Sequence, residues 1–207
     1  MMKKINMKIL IITSLVCLSP ILLGLGFYNE LPENVAIHFD INNNPNNYFP
    51  KLVFIFVMPL IMLLLQLICC ITTDLSNKNI EANKKVTTIF KWIIPTLSII
   101  MYVITIMYSL GNSIDIRKVV MCILGILFIV MGNYLPKTVG NVKFPGIKDE
   151  NLKKKLLKIS AYFLILDGIL CLFSILFKPL VSILIIVFFI FEMILLYMYA
   201  FLKNRRL

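Results

Sequence analysis

Six long apolar runs constrain the fold of this chain more than any other feature of its sequence. They cover residues 7–28, 51–73, 90–110, 118–135, 157–177 and 180–202. A helix needs about 20 apolar residues to cross the hydrocarbon core of a bilayer, which is about 30 Å thick. Lipid offers no partner for open backbone groups, so each spanning run must be helical. The sequence therefore predicts an all-α, polytopic membrane protein with six transmembrane helices, arranged as a single membrane domain over residues 1–207.

The distribution of basic residues predicts the orientation of these helices. Of the 21 lysines and arginines, 17 lie in the N-terminal segment, in segments 74–91 and 136–158, and in the C-terminal tail, all on one side of the predicted topology. Such an excess marks the cytoplasmic side, so both termini are expected in the cytoplasm. The net charge of +11 is thus divided among short connections, a pattern that argues against nucleic acid binding.

Two connections are long enough to carry a specific site. Residues 29–50 are predicted as an extracellular loop, and their run Asn42–Asn47 is expected to turn, because Asn tolerates left-handed backbone angles. Residues 132–158 are predicted as a cytoplasmic loop that is rich in Gly, Pro and Lys. Within it, residues 149–160 are expected to form an interfacial helix against anionic lipids.

Two acids lie inside the predicted spans, Asp167 in the fifth and Glu192 in the sixth. A charge inside a bilayer is costly, so an intramembrane carboxyl is a functional candidate by default. Spans five and six run in opposite directions, which would bring both carboxyls near the midplane, where they could share a proton. Alternatively, each is protonated and hydrogen-bonded to a polar neighbour such as Ser174 or Tyr197. A third polar residue, Gln66, is expected to hold helices together.

The sequence contains no recognisable catalytic or metal-binding motif. His38 is the only histidine, whereas a zinc site normally has three or four ligands. Catalytic triads, phosphate-binding loops and metalloprotease signatures are all missing from the sequence. The chain is therefore predicted not to be an enzyme and to need no metal or cofactor.

Two stretches, one in each long connection, carry recognisable motifs. The first stretch reads Leu31-Pro32-x-x-Val35-x-x-His38-Phe39-Asp40, with Lys51 at the head of the second span. It resembles the N-terminal domain of the SdpI family of bacterial immunity proteins, with Asn44 or a neighbour at the place of the usual turn glycine. The second stretch reads Gly132-Asn133-Tyr134-Leu135-Pro136-Lys137, then Asn141, then Gly146-Ile147-Lys148. The Thr-Pro-Trp sequence that commonly follows in the family is replaced here by Asp149-Glu150-Asn151.

The resemblance implies a role in protecting the cell membrane from a secreted toxic peptide. It also implies signalling in some members, through a transcriptional repressor drawn to the membrane. The residues that it marks as candidates for binding a toxin or partner are Pro32, His38, Asp40, Lys51, Asn133, Pro136, Lys137, Asn141, Gly146 and Lys148. The alternative is a small proton-coupled transporter or exporter in which Asp167 and Glu192 carry the proton.

Overall fold

The structure, a computed structural model, describes residues 5–76, 84–138, 147 and 149–204. In these ranges, six helical segments are long and apolar enough to cross a membrane, which confirms the predicted spans. The elements, in chain order, are α1 (Met7–Leu18), α2 (Pro20–Gly26), β1 (Asn34–Phe39), β2 (Pro45–Pro50), α3 (Lys51–Ser76), α4 (Lys84–Ser109), α5 (Ile116–Tyr134), a 3₁₀ turn (Leu135–Thr138), α6 (Glu150–Ser174) and α7 (Pro179–Asn204).

The chain divides into two compact units. The N-terminal unit, Met1–Ile116, contains α1 to α4 and the two strands. The C-terminal unit, Arg117–Leu207, contains α5 beyond its first residue, α6 and α7. In the N-terminal unit, α1, α3 and α4 pack against one another in all three pairs.

The first span is two helices rather than the single run predicted over 7–28. Pro20 opens α2 and has no N–H, so the carbonyl of Val16 loses its normal helical donor. The Ser19 hydroxyl supplies a replacement by donating to Val16 O at 2.8 Å. The chain can therefore break at Ser19 without leaving that carbonyl unpaired.

The fifth span begins at Glu150, well before the predicted residue 157. Asp149 caps the helix, and its carboxylate accepts hydrogen bonds from the backbone N–H groups of Asn151 and Leu152. Leu152, Leu156 and Leu157 in the first turns are buried. The helix expected over 149–160 is therefore present as the start of α6, but these leucines are buried in the protein and not exposed to lipid.

Residues 34–50 form an antiparallel β-hairpin, in which Val35 pairs with Phe49. The sequence predicted a turn in this loop but not its strands. The turn lies over residues 40–44, and Pro45 already belongs to β2. Val35 is fully buried and packs with Leu31, Phe54, Ile55, Tyr102 and Ile106, so the hairpin shares one core with α3 and α4.

In the C-terminal unit, glycines allow close approach of α5 and α6. A Cβ on Gly168 would lie 2.7 Å from the carbonyl oxygen of Gly125, which is closer than any real contact. A Cβ on Gly132 would lie 2.7 Å from the carbonyl oxygen of Ala161. Gly132, the first residue of the second SdpI-like stretch, therefore has a packing role.

Candidate functional site

Lys51 joins the base of the hairpin to the start of α3. Its ammonium lies 2.8 Å from Glu33 Oε1 and 4.5 Å from the centre of the Tyr28 ring. Its backbone N–H donates to the carbonyl of Glu33 at 2.9 Å. These three contacts fix the direction in which the chain leaves β2, and they give Lys51 a structural role. Pro32, from the same motif, is exposed nearby in sequence.

His38 and Asp40 lie at the far end of the hairpin. The exposed His38 ring holds Nδ1 2.5 Å from Asn46 Oδ1 on the opposite strand. Since a carbonyl oxygen only accepts, Nδ1 carries the proton in this pair. The Asp40 carboxylate accepts from the backbone N–H groups of Asn44 and Asn42, at 2.8 and 2.9 Å. These bonds, chiefly the one from Asn44, lower the pKa of Asp40 and keep the turn closed around an ionised carboxylate.

Asn43 anchors the hairpin turn to the connection before α5. Its φ of 68° is left-handed, so it takes the place of the turn glycine that the resemblance expected at Asn44 or a neighbour. Its side-chain amide donates to Ile114 O at 2.9 Å, and its side-chain oxygen accepts from the N–H of Ile116 at 2.7 Å. All of these residues belong to the N-terminal unit. The hairpin is therefore held at both its base and its tip.

The second motif is described only in part. Asn133 and Lys137 are exposed, and the Lys137 ammonium lies 4.7 Å from the centre of the Tyr134 ring. Pro136 is half-buried in the 3₁₀ turn that ends α5. Asn141, Gly146 and Lys148 lie outside the described residues. Ile147 is buried against Leu152, Leu156 and Ala200, so the chain is anchored to α6 and α7 just before α6 begins.

Asp167 and Glu192 lie near each other inside the C-terminal unit, on the adjacent helices α6 and α7. Asp167 is completely buried, Glu192 is 8% exposed, and the two carboxyl groups are close enough to interact electrostatically. Side chains tilt toward the N-terminus of their own helix, so on antiparallel helices they tilt in opposite directions along the axis. Asp167 lies seven residues before the end of α6 and Glu192 thirteen residues after the start of α7, so these tilts reduce the difference in depth between the two carboxyls. Within the described part of the chain, no protein donor reaches either oxygen of Asp167 or Oε2 of Glu192. A proton shared between the two carboxyls would complete a hydrogen bond there.

The polar neighbours suggested for this pair are engaged elsewhere. The Ser174 hydroxyl donates to Cys171 O at 2.7 Å and accepts from the Ser182 hydroxyl at 3.2 Å. Ser182 also accepts from the Arg117 guanidinium at 3.0 Å. Tyr197 is 56% exposed. The carboxyl pair is therefore a separate feature of the C-terminal unit.

A buried ion pair in the N-terminal unit was not anticipated from the sequence. Lys91 belongs by sequence to a basic connection, but it is 2% exposed, and its ammonium lies 2.5 Å from Asp74 Oδ1. The backbone N–H of Asn6 donates to the other Asp74 oxygen at 3.0 Å. The pair thus joins α3 to α4 and fixes the residue just before α1.

Gln66 lies at the junction of the same three helices. Its amide nitrogen is 2.8 Å from Thr13 Oγ1 on α1 and 2.9 Å from the carbonyl oxygen of Lys91 on α4. That carbonyl lacks its usual helical donor because residue 95 is proline. Gln66 therefore joins helices, as expected, and replaces the backbone hydrogen bond that Pro95 removes.

A comparison with protein families finds one match, a domain of unknown function, DUF1648, over residues 15–63. The matched segment runs from α1 through the hairpin into α3, and it includes Pro32, His38, Asp40 and Lys51. No curated protein matches the chain. No solved structure matches it.

Proposed function

We propose that the chain is an SdpI-type immunity protein, which protects the membrane of its own cell from a secreted toxic peptide. The observation that carries the proposal is the DUF1648 match over residues 15–63, because SdpI-type proteins contain this domain. The protein would act in a bacterial inner membrane with both termini in the cytoplasm, by binding rather than by catalysis.

The hairpin would be the first part of the protein to meet a peptide that arrives from outside. It presents Ile41 and Tyr48, each 49% exposed, beside the exposed His38. Its core contacts, together with the edge-to-face packing of Phe39 on Tyr108 at 4.7 Å, hold it in place before any ligand arrives. A preformed surface binds without the entropic cost of ordering a loop, which favours capture by this element.

The cytoplasmic side would provide the signalling role. Lys154, Lys155 and Lys158 are exposed on the first turns of α6. We propose that they attract either an acidic surface on a transcriptional repressor or anionic lipid headgroups. Asn133 and Lys137, also exposed, would belong to the same surface.

The contact between Asp167 and Glu192 supports a second candidate, a small proton-coupled transporter or exporter. Buried carboxyls that share a proton can release it when one of them gains another partner. This candidate predicts proton movement coupled to substrate in reconstituted vesicles. The substitutions D167N and E192Q would stop that movement, whereas substitutions in the hairpin would not.

The immunity proposal is tested by the growth of toxin-sensitive cells that express the chain. We expect H38A, and separately the double variant N133A/P136A, to abolish protection at unchanged protein levels in the membrane, because both change candidate binding residues of the two SdpI-like stretches. Asn34→Ala, at another exposed hairpin position, should keep protection and serves as the control. If H38A and N133A/P136A both protect as well as the parent chain, these motifs are not the binding sites.

A further inference from the structure

A groove of about 510 Å³ lies between α6 and α7, entirely within the C-terminal unit. Its walls are apolar and aromatic, and they include Phe163, Phe188, Phe191 and Leu195. Glu192 also lines the groove, although only 8% of its surface is exposed. The groove therefore exposes one carboxyl group within an apolar wall.

The carboxyl lies well below the polar end of the groove. That end is marked by Lys155 and Tyr199, with the lysine ammonium 3.5 Å from the tyrosine hydroxyl. Lysine and tyrosine place their polar tips at the level of the lipid headgroups. Glu192 precedes Tyr199 by seven residues on α7, which corresponds to about 10 Å along a helix axis. Glu192 therefore lies at the depth of the hydrocarbon part of the membrane.

The carboxyl oxygens of the Asp167–Glu192 pair lack hydrogen-bond donors, and a ligand bound in the groove could supply one. Both Asp167 oxygens and Glu192 Oε2 are buried and receive no hydrogen bond from the described protein, so a group in the groove can reach the pair only through the partly exposed Glu192. One shared proton leaves such a pair with one negative charge. A ligand with a basic group could neutralise this charge, and the apolar walls require the rest of the ligand to be apolar.

The shape of the groove favours a helix over a compact ligand. Its lining on α7 runs from Phe188 to Tyr199, a length of about 16 Å or three helical turns. Phe191, Leu195 and Tyr199 are 55%, 47% and 39% exposed, so the groove is open along this length. A helix laid along it would bury these side chains at intervals of three to four residues.

We infer that this groove binds an apolar peptide helix whose single basic side chain pairs with Glu192. The inference rests on the proposed function, because it identifies the chemistry that a captured toxic peptide would need. In this account, the hairpin of the N-terminal unit makes the first contact with the peptide. The C-terminal unit then retains it.

The test uses the full-length chain in phosphatidylcholine vesicles and two synthetic 21-residue helices of Leu and Ala. One helix carries a single central Lys and the other carries Leu at that position. Energy transfer from a donor dye on the protein to an acceptor dye on the peptide reports binding. We expect the Lys peptide to reach half-saturation at a mole fraction at least tenfold lower than that of the Leu peptide. In E192Q this preference should disappear. Glu30→Gln, which changes an exposed acid of the N-terminal unit, should retain it.

Equal binding of the two peptides to the parent chain would overturn the inference, and this comparison needs no variant that might misfold. A preference that persists in E192Q would also overturn it. The outcome is separable from that of the growth test. A chain that protects cells but binds both peptides equally keeps its proposed function and loses this site. A chain that prefers the Lys peptide through Glu192 but protects no cells keeps the site and loses the function.

Discussion

Replacing Lys91 with methionine is expected to lower the free energy of unfolding by about 3–5 kcal/mol. The side chain of Lys91 is 3% exposed and that of Asp74 is 11% exposed, so the variant leaves a carboxylate buried without its partner. Within the described residues, the backbone N–H of Asn6 then remains as the donor to that carboxylate. Loss of helical circular dichroism in mixed detergent micelles, titrated with a denaturing detergent, measures the change.

The double variant D74N/K91M tests whether the unpaired buried charge causes this loss of stability. It removes both charges, while the amide oxygen introduced at position 74 can still accept from the Asn6 N–H. Most of the lost stability should therefore return, to within about 1–2 kcal/mol of the parent. Lys178→Met removes an exposed lysine from the connection between α6 and α7 and should change stability by less than about 0.5 kcal/mol. If K91M is no more destabilising than K178M, the buried ion pair does not hold α3 to α4.

Replacing Gln66 with leucine is expected to destabilise the N-terminal unit by about 2 kcal/mol. The variant leaves the carbonyl of Lys91 without a donor, since Pro95 cannot supply one. It also removes the link to Thr13 on α1. The same denaturation assay measures this loss.

A double-mutant cycle with Pro95→Ala isolates the cause. Alanine at position 95 has an N–H that can close the ordinary helical bond to the Lys91 carbonyl, so Gln66 is no longer needed there. We expect the cost of Q66L to fall by about 1 kcal/mol in the P95A background. If the free-energy changes of Q66L and P95A instead add within about 0.3 kcal/mol in the double variant, Gln66 does not compensate for the proline.

The spans were predictable from the sequence because a bilayer sets one length for every element that crosses it. Counting residues along two antiparallel helices also predicted a similar depth for Asp167 and Glu192, but it did not predict whether the two carboxyls touch. The start of α6 was missed because its first turns carry Lys153, Lys154 and Lys155, which break the apolar run without breaking the helix.

The hairpin and the ion pair depend on packing that a single sequence does not display. Strand β2 reads PNNYFP, which has two prolines and two asparagines and therefore little strand propensity of its own. Its pairing with β1 depends on the buried position of Val35 against α3 and α4. In the sequence, Lys91 looks like an ordinary lysine at the end of a membrane span. Its ion-pair partner, Asp74, is 17 residues away on another helix. A proline at position 95 and a glutamine within α3 were the only visible signs of this polar junction.

The central claim, that the chain protects a membrane from a toxic peptide, is tested most directly by the membrane potential of challenged cells. Toxin-sensitive cells with and without the chain would be loaded with a potential-sensitive dye and exposed to a purified secreted peptide against which SdpI-type proteins protect. We predict that cells with the chain keep their potential while control cells depolarise. Equal depolarisation of both, with the chain confirmed in the membrane, would contradict the claim.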